Sequence, residues 1–230
     1  MRHPLTALLL ASCATLAYGA ARDCTKADGA PARLAADEHG LALPVERCLH
    51  GTDAAGPWQL YLLASHDRRD GDHVMSTRLA ARLFRREAGG TFVEKWVLRD
   101  RIAPGEAGAW FSRKLSEFDV DAAGQLAPLL VLRFVRWKRD DAPQEGVDED
   151  GDAGRLELVL PGGDTPAAVT AITGVLDDER RTTANDAYFA LPPATRRHVQ
   201  QLLSQWNRDQ VFLSADNGGG FVPRREKKRR

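Results

Sequence analysis

The residues whose types and spacing could do chemistry are mainly acidic, and the first pair opens the stretch Phe118–Trp137. Asp119 and Asp121 stand two positions apart there, shortly before Gly124. Alternate carboxylates followed by a glycine are typical of calcium-binding loops, in which the side chains converge on one ion and the glycine permits a sharp bend. Calcium takes about six to eight oxygen ligands, however, and here the third ligand position is Ala123 and a later one is Ala127. The sequence therefore favours a turn in which both carboxylates cap backbone amides, with a calcium site as the alternative.

A second acidic run, Asp148 to Asp152, lies within residues 140–154, which are rich in aspartate, glutamate, glycine and proline. Its glycines do not fall where an EF-hand loop requires them, and no glutamate completes the ligand set. Segments of high charge and few apolar residues bury too little surface to fold. We therefore expect a solvated acidic loop, and no cofactor apart from calcium at the first turn.

Two histidines flank a polar turn, with His66 next to Asp67 and His73 next to Asp72. On a hairpin these four side chains could face one another, and imidazole is a good ligand for zinc and copper. Histidines in polar turns are more often simply exposed. The favoured interpretation is a surface turn, with a metal site as the alternative.

Nucleophilic catalysis has no support in the sequence, which contains no Gly-x-Ser-x-Gly motif and no glycine-rich loop of the kind that cradles phosphate. The many carboxylates leave a glycosidase-type pair open, but none of them stands out by its position. The chain is therefore predicted not to be an enzyme.

The N-terminus predicts export. A short basic start precedes an apolar run over residues 5–17, and small residues follow at 19–21, so residues 1–20 have the form of a signal peptide. The run is too short to span a membrane. In an alternative interpretation, Leu10 to Cys13 is a lipoprotein signal and Cys13 carries the lipid. We expect a periplasmic or secreted protein, or one anchored in the outer membrane through Cys13.

Beyond this leader, Cys24 and Cys48 are the cysteines that remain. An even pair in an exported chain predicts a disulfide. We therefore predict a Cys24–Cys48 bridge, which would contribute about 3 kcal/mol to stability in the chain-entropy model.

The charge balance gives no general attraction to nucleic acid, because the formal net charge is zero with 28% charged residues. The charges are nevertheless uneven, since residues 224–230 contain six basic residues and one acidic residue. We expect residues 214–230 to form a disordered basic tail, and contact of its residues 224–230 with an anionic surface is the alternative.

Alternating and continuous apolar runs predict strands over much of the chain. The segment Leu129–Trp137 is apolar on both alternate faces, which is typical of a central strand covered on both sides. The glycines Gly89 and Gly90 predict a hairpin between two of the strands. The predicted strands cover residues 58–63, 74–86, 91–98, 109–115, 129–137, 156–160 and 168–175, and a helix is the alternative for residues 74–86.

One amphipathic helix is predicted near the C-terminus. Pro192 and Pro193 suit its first turn, and an apolar stripe for packing on a sheet follows at helical spacing. The stripe consists of Val199, Leu202, Leu203 and Trp206.

The predicted fold class is therefore α+β, mainly an antiparallel β-sheet in a sandwich or propeller-like arrangement with this helix at its end. Residues 21–54 are expected to form an irregular N-terminal arm pinned by the disulfide, and residues 55–213 the β-rich domain.

Several segments together resemble a family of small exported bacterial proteins that are sometimes labelled surface polysaccharide biosynthesis proteins. The resemblance covers residues 55–207 and implies an envelope role, but it identifies no catalytic residue. The acidic turn is also similar to those of integrin-type propeller repeats, from which Ala123 and Ala127 depart. The segments that carry the family resemblance are Phe92–Asp100, Phe118–Asp121 with Gly124, Gly174–Arg180 and Asp186–Pro192.

We expect a non-catalytic, exported envelope protein, a binding or accessory module linked to surface polysaccharide, whose partner is an envelope protein or a glycan. Neither nucleic acid nor a transmembrane span is expected, and the sequence does not identify the binding residues. The alternative is a periplasmic inhibitor or immunity protein that inserts the acidic loop of residues 140–154 into a basic cell-wall-degrading enzyme. A third interpretation is a hydrolase whose turnover depends on Asp119 or Asp121.

Overall fold

Strands account for most of the ordered elements, as the alternation of apolar and polar residues predicts. The structure is a computed structural model, and it describes residues 19–25, 43–53, 56–70, 73–113, 115–116, 129–136, 154–160, 165–172, 181–209 and 221–226. The elements in these residues are β1 (Gly19–Asp23), β2 (Val45–Asp53), β3 (Gly56–Ala64), β4 (Arg68–Asp70), β5 (His73–Met75), β6 (Arg78–Arg86), β7 (Phe92–Arg101), β8 (Glu106–Phe111), β9 (Leu130–Arg136), β10 (Gly154–Leu160), β11 (Ala167–Ile172), β12 (Arg181–Ala184), α1 (Asp186–Ala190), α2 (Pro193–Arg208) and β13 (Arg224–Arg225).

The described strands form two sheets and one short hairpin. The first sheet has the order β1-β2-β3-β6-β7 and is antiparallel throughout. The second sheet has the order β13-β12-β11-β10-β9-β8 and is antiparallel except where β13 runs parallel to β12. The hairpin pairs β4 with β5. This arrangement confirms the predicted α+β fold with mainly antiparallel sheet.

The two sheets pack face to face around a shared apolar core, so the fold is a β-sandwich. Leu130, Leu132 and Phe134 point from β9 towards the first sheet, where Leu60 and Leu83 are buried in the same cluster. Burial of a leucine or phenylalanine side chain contributes about 1.5–3 kcal/mol. The other buried members of this core are Leu49, Trp58, Leu62, Ala64, Leu79, Ala81, Trp96, Ala109, Phe111 and Val159.

Helix α2 covers the opposite face of the second sheet. Its Val199 and Leu203 are fully buried against side chains such as Leu158 and Val169. The predicted apolar stripe therefore does pack on a sheet, and the predicted helix is confirmed. Residue Val131 of β9 also belongs to this layer. Strand β9 is thus buried on both faces, as its sequence predicts.

The sheets are also joined at one corner through backbone hydrogen bonds. Ser76 and Ala109 exchange N–H to carbonyl bonds of 2.9 Å in both directions. Next to this bridge, a Cβ atom added to Gly108 would lie 2.6 Å from the Cβ of Met75. Glycine is required there because the backbone of β8 passes so close to that side chain.

The N-terminal region is more regular than the sequence predicts. Instead of an irregular arm, residues 45–53 form β2, which pairs with β3 over most of its length, and β1 then pairs with β2. The structure brings Cys24 and Cys48 to disulfide distance, with their Cα atoms 5.3 Å apart. The sequence pattern missed β2 because only Leu49 on this strand is fully buried; its pairing with β3 organises the segment.

The C-terminal region also differs from the expected disordered tail. Phe221 is buried in the core beneath α2, and residues 224–225 form β13 on the edge of the second sheet. The guanidinium group of Arg225 lies over the ring of Phe189, 4.4 Å from its centroid, and pairs with Asp186. Composition alone predicted disorder because Phe221 and Val222 are the only large apolar residues between positions 214 and 230.

Several predicted features lie outside the described residues, among them most of the signal peptide and the lipidation candidate Cys13. None of the helices in the described ranges has the length and apolar character that a membrane span requires.

The contact between α2 and the second sheet can be tested by Leu203→Ala. Removing this fully buried side chain should lower the free energy of unfolding by about 2–5 kcal/mol, because the lost contacts leave a cavity. Urea unfolding would measure the effect. The control, Gln201→Ala, alters an exposed position of the same helix and should change stability by less than about 0.5 kcal/mol. Equal effects of the two substitutions would contradict this packing.

Candidate functional site

The outer face of the first sheet, which points away from the second sheet, carries a row of arginines on β6 and β7. Side chains alternate along a strand, so Leu79 and Ala81 enter the core while Arg78, Ala80 and Arg82 face outwards. On β7 the same alternation turns Trp96 and Leu98 inwards. The intervening residues Val97, Arg99 and Arg101 therefore share the outer face with the arginines of β6.

The register of the two strands places two of these arginines directly opposite each other. Arg78 is directly opposite Arg101, Ala80 is opposite Arg99, and Arg82 is opposite Val97. Directly opposed side chains on antiparallel strands lie close together on one face, and two like charges in that position destabilise the sheet. The Arg78–Arg101 pair is therefore an electrostatic cost in the free protein.

These residues line a groove of about 640 Å³, a size that suits a small-molecule ligand. Its floor is aliphatic, since Leu63 and Ala80 are nearly buried beneath it and Leu43 lies at its side. The lining residues are Leu43, Leu63, Thr77, Arg78, Leu79, Ala80, Arg82, Val97, Arg99, Asp100, Arg101 and Ile102.

The two ends of the groove differ in charge. At one end, Arg82 makes an ion pair with Glu94, with a hydrogen bond of 2.6 Å from Nε, and its guanidinium group lies 5.5 Å from the ring centroid of Phe84. At the other end, the side chains of Arg78 and Arg101 have no carboxylate partner among the described residues. The positive charge is thus neutralised at the Arg82 end and remains at the Arg78–Arg101 end.

Behind this charged end, the inner face of β7 meets a cluster of charges around Arg155. Arg155 Nη1 and Nη2 donate to the two carboxylate oxygens of Asp100 at 2.7 and 3.0 Å, and Nε donates to Glu106 at 2.8 Å. Nη2 also donates to the backbone carbonyl of Arg101 at 3.0 Å. The guanidinium group lies over Phe134, 3.5 Å from the ring centroid. Arg155, which belongs to the second sheet, is therefore bonded to the end of strand β7 in the first sheet.

A third carboxyl group, that of Glu157, completes the cluster. Burial, the hydrogen bond to Asp100 and the charge of Asp100 raise the pKa of Glu157 well above its usual value. Burial opposes the ionisation of Asp100, but hydrogen bonds with Arg155 and Glu157 outweigh it and lower the pKa of Asp100. Both directions favour a protonated Glu157 beside an ionised Asp100.

This arrangement is suited to joining the sheets. Both oxygens of Asp100 accept hydrogen bonds from Arg155, and Oδ1 also accepts one from the backbone N–H of Arg101 at 2.7 Å. Each side chain of the trio Arg155, Asp100 and Glu157 is less than one-fifth exposed. The carboxylate oxygens therefore form their hydrogen bonds with other groups of the protein. A catalytic acid–base pair, by contrast, faces its substrate.

The acidic sites predicted from the sequence fall outside the part of the chain that the structure describes. Asp119 and Asp121 lie outside the described residues, as does the run from Asp148 to Asp152. In the part of the chain that the structure describes, no group of three histidine, cysteine or acidic side chains is placed to hold a metal ion.

At the histidine turn, Asp72 also lies outside the described residues, whereas Asp67 lies within them. It accepts hydrogen bonds of 2.6 Å from the hydroxyl groups of Ser65 and Thr77. Burial opposes ionisation, yet these bonds outweigh it and lower the pKa of Asp67 to about 2. The carboxylate closes the base of the hairpin, and His66 beside it is exposed, as the favoured surface interpretation predicts.

Sequence reasoning missed the arginines of the groove and Arg155. The available signal was arginine at alternate positions, 78 and 82 in one predicted strand and 99 and 101 near the end of another. The sequence alone does not show which of these arginines lie together, because this depends on the register of the strands. A slip of one residue would move Arg78 away from Arg101 and turn every side chain of the strand to the other face.

Comparisons with models of known protein families, with curated proteins and with solved structures find no match to this chain. The resemblance to exported polysaccharide-related proteins therefore stays a prediction.

The protonated Glu157 predicts a specific pH dependence. Because the pKa of Glu157 is raised in the folded state, the folded protein holds more protons than the unfolded chain above the usual glutamate value of 4.5. The stability from this proton is complete below that pH and is lost as the pH rises through the folded pKa. Glu157→Gln keeps the neutral form, so the variant should lose less stability than the wild type as the pH rises above 4.5, measured by urea unfolding.

The matched control is Glu87→Gln, which removes a carboxylate from an exposed position at the end of β6. This variant should follow the wild-type pH profile. If Glu157→Gln followed it as well, the pKa of Glu157 would not be raised in the folded protein.

Proposed function

We propose that this chain is an exported, non-catalytic binding module of the bacterial envelope, associated with surface polysaccharide, and that it holds an anionic envelope component in the arginine groove. The observation that carries the proposal is the pair Arg78 and Arg101, which face each other without a carboxylate partner in the described chain. An anion between them would convert repulsion into two charge-assisted interactions. Arginine is suited to this role because its planar fork matches the oxygens of phosphate and carboxylate.

Export is supported by the predicted signal peptide and by the Cys24–Cys48 pair at disulfide distance. Disulfides persist in oxidising compartments such as the bacterial periplasm. The periplasm is therefore the proposed location, and anchoring through Cys13 is the alternative.

A binding role without catalysis is supported by the way in which the buried acids are used. Asp100, Glu106 and Glu157 surround Arg155, and their hydrogen bonds go to the protein itself. The groove on the other side of β7 presents guanidinium groups and aliphatic side chains, which bind and orient ligands.

The alternative role as an inhibitor of a cell-wall-degrading enzyme rests on the acidic loop of residues 140–154. Except for Gly154, these residues lie outside the described ones. No observation therefore favours this role over the groove.

The proposal is tested by thermal unfolding with increasing inorganic phosphate, in a buffer without other polyvalent anions. A ligand that binds the folded state raises the melting temperature. The wild type should show this rise, and Arg78→Gln and Arg101→Gln should each lose most of it.

The matched control is Arg197→Gln, which removes the same charge from an exposed position of α2, in the layer beyond the second sheet. It should respond like the wild type. The same rise in all four proteins would indicate a general ion effect and would overturn the proposal, as would no rise in the wild type.

The link to surface polysaccharide can be examined with immobilised protein and a detergent extract of envelopes. The wild type should retain material that contains sugar and an anionic group, and the Arg78→Gln/Arg101→Gln double variant should not. Equal retention by both proteins would count against the groove as the binding site.

A further inference from the structure

The composition of the groove indicates more about its ligand than a negative charge. The end formed by Arg78 and Arg101 carries charge without a carboxylate partner in the described chain, and Arg99 also lines the groove, opposite Ala80. The rest of the lining is largely aliphatic, with Leu63 and Ala80 in the floor and Val97 beside them. Such a surface gains free energy when it is covered by apolar atoms, in proportion to the area removed from water.

The charged end fits a phosphate group better than a carboxylate. A phosphate monoester carries between one and two negative charges at neutral pH and three terminal oxygens, whereas a carboxylate carries one charge and two oxygens. Two opposed guanidinium groups can each bind two oxygens of such a group. Arg78 and Arg101 therefore match one phosphate in both charge and number of donors.

The remaining length of the groove fits an apolar chain. From the Arg78–Arg101 end to Arg82 there are four residues along β6, or about 13 Å at strand spacing. Arg82 is already paired with Glu94, so the far end does not call for a second anion. A free phosphate would fill a small part of the 640 Å³ and leave the aliphatic floor uncovered.

A single-stranded nucleic acid, which also carries phosphate, fits less well. Proteins that bind such strands stack the bases on aromatic side chains. No described residue that lines the groove is aromatic, and the nearby ring of Phe84 is buried beneath Arg82 and offers no face for stacking.

We infer that the groove binds a phosphate-headed amphiphile, with the phosphate between Arg78 and Arg101 and the apolar chain along Leu63, Ala80 and Val97 towards Arg82. This inference rests on the proposed function, because it concerns the ligand of the same groove. In this inference, the groove would hold an envelope component by its phosphate group and its apolar chain.

The test is calorimetric titration of the full protein with inorganic phosphate, butyl phosphate and octyl phosphate, the last below its micellar concentration. A fully buried methylene group contributes roughly fourfold in affinity, and a groove that is open on one side should give about half of that effect on a logarithmic scale. Octyl phosphate should therefore bind at least about tenfold more tightly than butyl phosphate. Octyl glucoside, which has the chain without the charge, should bind more weakly than octyl phosphate.

Two variants assign the effect to the floor of the groove. Val97→Thr places a hydroxyl in the floor and should reduce the ratio of octyl to butyl phosphate affinity about threefold, without changing the affinity for inorganic phosphate. Val93→Thr makes the same change on an exposed part of β7 outside the groove and should leave the ratio unchanged.

The outcomes separate the two proposals. If all three phosphates bind equally and depend on Arg78, the inference about the apolar chain is overturned while the proposed anion site stands. If none of the phosphates binds, both are overturned. If octyl phosphate binds but Arg78→Gln does not weaken it, the phosphate is not held at the charged end and the inference is overturned.

Discussion

The groove depends on one interaction across the sandwich, the bonding of Arg155 to the end of β7. From the second sheet, its guanidinium group binds both oxygens of Asp100 and the carbonyl of Arg101. This fixes the backbone between those two residues, and the alternation of the strand then directs Asp100 inwards and Arg101 outwards. The same interaction that joins the sheets thus positions one of the two arginines that form the charged end. Burial alone would favour neutral forms of these acids, but Arg155 keeps Asp100 ionised and Glu157 retains the proton.

The fold remains stable despite charge repulsion on its surface because its two apolar layers are extensive. The second sheet is buried on one face by the first sheet and on the other by α2, so β9 contributes side chains such as Val131 and Leu132 to both layers. Each such side chain contributes about 1.5–3 kcal/mol. The repulsion between two facing arginines is smaller, in the range of a few tenths to about 1 kcal/mol. A destabilising pair can therefore persist on this surface without unfolding the protein.

The sequence predicts the parts of this structure that depend on local pattern. The apolar run of β9, the stripe of α2 and the hairpin between β6 and β7 follow from periodicity and glycine placement. The Cys24–Cys48 pair follows from an even cysteine count in a chain that is predicted to be exported. Strand β2 and the Arg78–Arg101 pair were not predicted, because both depend on which strands pair and in what register. Arg155 was missed for the same reason, since its partners are about fifty residues away in the sequence.

The most direct test of the repulsion at the charged end is a double-mutant cycle on stability, measured by urea unfolding at low ionic strength without phosphate. If Arg78 and Arg101 repel each other in the free protein, each single change to glutamine should raise the free energy of unfolding by about 0.2–1 kcal/mol. The double variant should then gain less than the sum of the two, because one repulsion can be removed only once. Additive effects, or single changes that lower stability, would contradict a strained arginine pair and with it the anion site.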